Sequence, residues 1–111
     1  MELINWSDFE KIDIRLGTII SAIPFTKANK PAYQLQIDFG DIGIKQSSAQ
    51  ITVHYSPEEL LNKQIIAVVN FPPKQIANFF SECLVLGVYK ADNSIVLIQP
   101  DKITPNGSKI G

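Results

Sequence analysis

Few residues in this chain could do covalent chemistry. His54 is its only histidine and Cys83 its only cysteine, which excludes metal sites built on several His or Cys ligands. Ser47 or Ser48 could be paired with His54 and an aspartate on paper. Neither serine sits in the glycine-flanked turn that exposes a nucleophile. Gly17, Gly40, Gly43 and Gly87 are too scattered for a phosphate-cradling loop. The pattern predicts neither an enzyme nor a cofactor. What remains is hydrogen bonding. Lys45-Gln46-Ser47-Ser48-Ala49-Gln50 is a polar run between Ile44 and Ile51, both of strand type and expected to face a core. Short hydroxyls and an amide can approach phosphate, ribose or base edges closely. They can equally satisfy a neighbouring loop, as buried polar groups must.

A second stretch, Asn70 to Glu82, carries Phe71, Phe79, Phe80, Ile76 and Lys74. Aromatic faces beside a cation stack on unpaired bases. Exposed, they also hold apolar polypeptide, and Phe71, Ile76, Phe79 and Phe80 are the residues for that role. Alternatively, Phe71 and one of Phe79 and Phe80 belong to the core, with Lys74 facing solvent.

Strands and short helices must position these residues. Ser7 and Glu10 have capping-box spacing, predicting a short helix. Ile14–Ile23 reads as a long strand, with Gly17 marking a bulge or bend. Tyr33 to Phe39 alternates, with Tyr33, Leu35, Ile37 and Phe39 inward. Gly40-Asp41-Ile42-Gly43 turns the chain into the polar strand, forming a hairpin. Ser56-Pro57-Glu58-Glu59 opens a second helix that ends near Asn62. Strands follow at 65–69, 84–88 and 95–98, the last two joined by a turn over 90–94. This order predicts an all-β protein with short helices, a five- to six-stranded OB-fold barrel. A half-open sandwich has similar spacing.

The chain's 111 residues suit a single domain, 1–111, with one core. Its net charge is −1, unlike a typical nucleic-acid binder. The charges are nevertheless segregated: four acids precede Ile14, and Arg15, Lys27 and Lys30 follow without an acid up to Ile37. An acidic amino-terminal stretch, no membrane-length apolar run and a lone cysteine in Cys83-Leu84-Val85-Leu86 together predict a cytoplasmic protein with a buried thiol and no membrane insertion. Leu3, Ile4 and Trp6 in segment 1–12, and Ile103 and Ile110 in segment 100–111, exceed what a small barrel core takes up. They either meet a partner surface in a homodimer or pack back over the open end of the barrel.

Six motifs occur in this order: Asp13-Ile14-Arg15-Leu16-Gly17-Thr18-Ile19, Lys30-Pro31-Ala32-Tyr33, Ile37-Asp38-Phe39-Gly40, Ser47-Ser48-Ala49-Gln50-Ile51, Asn70-Phe71-Pro72-Pro73-Lys74-Gln75-Ile76 and Ser81-Glu82-Cys83-Leu84-Val85-Leu86-Gly87. Over roughly 7–111, the chain resembles the tRNA-binding-domain family, in its free-standing, export-related chaperone branch. The family also supplies domains appended to methionyl- and phenylalanyl-tRNA synthetases. The resemblance implies an OB fold, a homodimer joined through its terminal segments and binding of tRNA or other structured RNA. For this branch it also implies ATP-independent holding of unfolded precursor proteins for the export machinery. By position, Ser47, Ser48 and Gln50 match the family's polar strand, and Asn70, Lys74, Ser81 and Glu82 its neighbouring loop and strand entry. Lys27 and Lys30 match its basic loop, while Lys45 adds a further phosphate-neutralising cation. The chain is less basic than many tRNA-binding relatives.

Overall fold

The computed structural model describes all residues, 1–111. It contains two short helices, α1 (Trp6–Glu10) and α2 (Pro57–Leu60). Its strands are β1 (Ile14–Pro24), β2 (Tyr33–Asp38), β3 (Ile44–Ala49), β4 (Gln64–Val68), β5 (Lys74–Ile76), β6 (Phe79–Ser81), β7 (Leu84–Val85), β8 (Gly87–Tyr89) and β9 (Ile95–Leu97). A five-stranded antiparallel sheet, ordered β3-β2-β1-β4-β7, curls into a nearly closed OB-fold barrel. Two hairpins, β5–β6 and β8–β9, attach to it. No helix is long and apolar enough to cross a membrane.

The alternation in β2 carries directly into packing. Tyr33, Leu35, Ile37 and Phe39 are all buried, because successive side chains of a strand point to opposite faces. Ile19, Ile65 and Leu60 complete the centre, with Leu60 delivered by α2. That helix is capped reciprocally. Ser56 Oγ accepts from Glu59 N, and Glu59 Oε1 accepts from Ser56 N at 3.1 Å. These bonds hold Glu59 below its ordinary range, the backbone bond from Ser56 contributing most.

Several expectations are corrected. The cap of α1 is Asn5, paired with Asp8, rather than Ser7. Asn5 offers the same chemistry two residues earlier, and the Ser7 hydroxyl donates to its Oδ1 at 2.6 Å. Helix α2 ends at Leu60 with Leu61 as its C-cap, close to the expected end near Asn62. Strand β1 does not bulge at Gly17. Its register against β2 shifts between Ile19 and Ser21, just past Thr18, where β1 pairs with both β2 and β4. Gly17 instead permits close approach, since a Cβ there would sit 2.6 Å from Ile37 Cγ2 and 2.7 Å from Phe39 Cδ1. The expected 84–88 strand breaks at Leu86, whose N–H bonds Ile66 O while its carbonyl accepts from Ile98 N. One residue thus joins two sheets at a barrel corner. Ile44 is 61% exposed rather than in the core. It has the opposite parity from Ser47 and Ala49, which face inward.

The carboxyl-terminal tail returns along the first half of β1. Leu16 N bonds Ser108 O, Gly107 N bonds Leu16 O and Ile110 N bonds Ile14 O. Arg15 Nη1 adds a bond to Gly107 O, and Thr18 Oγ1 one to Asn106 Oδ1. Ile110 therefore packs back on the barrel. Leu3, Ile4, Trp6 and Ile103 remain exposed, Trp6 at 80%.

Candidate functional site

The polar strand β3 lies at the sheet edge and faces segment 80–83 across the barrel's seam. Only one ordinary backbone bond crosses there, Glu82 N to Gln46 O at 2.8 Å. Side chains supply the rest. Gln46 N donates to Glu82 Oε1 at 3.0 Å, and Gln46 Nε2 to Phe80 O at 2.8 Å. Ser48 N donates to Ser81 Oγ at 3.1 Å, and the Ser47 hydroxyl to Cys83 O at 2.9 Å. An open sheet edge presents unpaired backbone groups, and these polar side chains satisfy them. Ser47, at 1% exposure, is a clamp inside the fold. Gln46, absent from the expected site, is another part of the same seam. Its partners lie more than thirty residues away, so no local pattern marks it.

The expected site thus divides. Ser47, Ser81 and Glu82 are engaged in the seam. Asn70 is engaged elsewhere, its Oδ1 accepting from Asp13 N at 3.0 Å and its Nδ2 donating to Lys11 O at 2.7 Å. The Ser48 hydroxyl, the Gln50 amide and the Lys74 ammonium make no hydrogen bond to the rest of the chain and line a groove of about 520 Å³. Its apolar floor includes Ile76, Val85 and Leu97, and Tyr89 stands at its wall, 73% exposed. Tyr89 was not foreseen, because an aromatic next to a polar turn carries no distinctive local pattern. A second groove of about 310 Å³ adjoins the first and is bordered by Phe71, Pro72 and Leu84. Lys74 and Ser81 line both.

Phe71 is 55% exposed, which corrects its alternative assignment to the core. Phe80 is exposed too. Phe79 instead packs edge-to-face on the buried Phe25, with ring centroids 5.3 Å apart. Phe25 N bonds Ala32 O, closing the loop that carries the exposed Lys27 and Lys30. This contact fastens the basic loop to the β5–β6 hairpin. Arg15 adds little free charge, because Asp13 Oδ1 accepts from its Nε at 2.6 Å. Lys45 is half-buried near Cys83, whose thiol is pushed up to about 11, chiefly by burial.

His54 meets a serine, but neither of those expected. Its Nε2 lies 2.7 Å from Ser94 Oγ, while the Ser94 hydroxyl donates to Asp92 Oδ1 at 2.5 Å. A hydroxyl has one proton, so His54 must donate to Ser94 and cannot act as its base. The Ser94 side-chain and backbone bonds hold Asp92 below the usual carboxylate range. The three residues fasten the β8–β9 turn. No group of three or more His, Cys, Asp or Glu side chains is arranged to hold a metal ion.

An OB-fold barrel with a polar-rimmed groove beside its seam defines a class of binding modules. Within that class, residues 14–109 match the model of the tRNA binding domain family, and the chain belongs to that family. It is similar to a crystal structure of the chaperone CsaA from Bacillus anthracis, with 52% identity, a TM-score of 0.95, and 99% of this chain and 100% of that one covered. A CsaA chaperone protein from Picrophilus torridus is 58% identical, with a TM-score of 0.92 over 98% of this chain and 100% of that one. The methionine–tRNA ligase of Methanococcoides burtonii is 40% identical over 98% of this chain. The chain spans 16% of that ligase's length, so it corresponds to one part of the enzyme.

Proposed function

We propose that the chain is a non-catalytic module that binds tRNA or another structured RNA. The observation that carries this reading is the groove in which Ser48, Gln50 and Lys74 keep their polar groups free above an apolar floor. Family membership supports the same ligand class. In this reading Lys27, Lys30, Lys45 and Lys74 neutralise phosphates, and Ser48 and Gln50 make short polar contacts. Ser47, Ser81, Glu82 and Asn70 hold the surface in shape. The test is fluorescence anisotropy of labelled bulk tRNA at several salt concentrations. Binding should weaken steeply with salt, because released counterions drive phosphate binding. Lys74→Glu combined with Lys45→Glu should reduce affinity at least about tenfold, and a folded double mutant that binds as the parent does would refute the reading.

A second reading rests on the exposed Phe71, Phe80 and Leu84 and on the chaperone relatives. The protein would hold unfolded precursor proteins in the cytoplasm, without ATP, for the export machinery. Phe80→Ser should then abolish suppression of aggregation in a manner insensitive to salt. We further propose a homodimer joined through segments 1–12 and 100–111, supported by the exposed Leu3, Ile4, Trp6 and Ile103. Two grooves on one dimer would raise avidity for an RNA able to reach both.

A further inference from the structure

The two grooves have a common border and a matched design. The larger has Tyr89 as its exposed aromatic, the smaller has Phe71, and Lys74 lines both. Lys74 is also the sole charged residue lining either groove. Two adjoining grooves that each present an exposed aromatic and share one cation offer the groups that two bases and their linking phosphate require. Bases stack on aromatic faces with little regard to sequence. Resting on the RNA reading above, we propose that the paired grooves bind two consecutive unpaired nucleotides. One base lies against Tyr89, the next against Phe71, and their linking phosphate meets Lys74.

The arrangement selects against a duplex. Paired bases are already stacked on their neighbours and cannot turn a face toward Tyr89 or Phe71. The volumes, about 520 and 310 Å³, fall within the roughly 300–1,000 Å³ range of small-ligand clefts. The larger groove also offers the free Ser48 hydroxyl and Gln50 amide to a base edge. The smaller has Pro72 beside Phe71 and no comparable amide. Sequence preference should therefore reside in the nucleotide at Tyr89.

The experiment is an anisotropy titration of the full chain with a labelled short oligoadenylate, the same strand annealed to its complement, and bulk tRNA. Tyr89→Ala, Phe71→Ala and Lys74→Ala are assayed beside the parent. All three side chains are exposed, so the variants should retain the parent's thermal transition. The expected result is that the single strand binds, competes with tRNA and outbinds its duplex. Tyr89→Ala and Phe71→Ala should each weaken it by about tenfold, leaving the salt slope intact. Lys74→Ala should reduce that slope by about 0.7, the contribution of one single-strand phosphate. If tRNA binds but the oligonucleotide does not, or if the aromatic variants match the parent, the paired-groove proposal fails and the RNA reading survives. If neither nucleic acid binds, both fail. If an unfolded polypeptide binds instead and is lost with Phe71→Ala, the grooves hold peptide and the proposal is overturned.

Discussion

Ser47 separates a contact from a clamp. Its hydroxyl is buried and donates to Cys83 O at 2.9 Å, where the Ser81 hydroxyl is a second, longer donor at 3.4 Å. Losing one such hydrogen bond costs about 0.5–1.5 kcal/mol. Ser47→Ala should lower unfolding stability by that amount in urea titrations while leaving RNA affinity unchanged in the folded protein. Cys83 makes a complementary prediction about pH. Burial raises its folded value from 9.0 to about 11, so above 9 the unfolded chain loses the thiol proton while the folded chain keeps it. The unfolded state then binds fewer protons, and stability must fall as pH rises. The contribution is fully present below pH 9 and declines between 9 and about 11, by about 1.4 kcal/mol per unit. Cys83→Ala should flatten that limb in denaturation curves collected across the window.

At the scale of elements, Gly17 fixes how closely β1 can lie against Ile37 and Phe39. A methyl at 2.6–2.8 Å from those side chains overpacks the core, and Gly17→Ala should cost about 1–3 kcal/mol, read as a lower midpoint in thermal denaturation. The sequence marked this glycine as special but for a different reason, since a close approach and a bulge look alike until the facing strand is known. What was legible was local. The alternation of Tyr33 to Phe39, the Ser56–Glu59 box and the Gly40–Gly43 turn each lie within one element, and each is found as read. The seam was not legible. Ser47 and Cys83 are separated by 36 residues, and hydroxyls reaching for a backbone carbonyl look no different in sequence from hydroxyls awaiting a ligand. The candidate residues are therefore divided only by geometry, with Ser48, Gln50 and Lys74 lining the groove and Ser47, Ser81, Glu82 and Asn70 engaged within the fold.

For the molecule as a whole, the barrel leaves the apolar residues Leu3, Ile4, Trp6 and Ile103 outside its core. A cleft of about 520 Å³ bordered by Ile4, Asn5, Trp6, Phe9 and Gly111 brings the two chain ends together. The proposed dimer predicts twice the chain mass in light scattering, and Trp6→Glu should yield a folded monomer with weaker tRNA avidity. A parent chain that stays monomeric at high micromolar concentration would rule the dimer out.

The returning tail adds something else. From Ile14 to Leu16, β1 bonds β4 on one side and the tail on the other, because β2 joins only from Thr18 onward. Residues 107–110 therefore act as a guard strand over an edge that would otherwise stand open. Shortening the chain past Pro105 would leave the barrel's core in place yet bare that edge to other molecules. Its cost would be felt in colloidal behaviour, as strand-by-strand clumping, before it was felt in the melting of the fold.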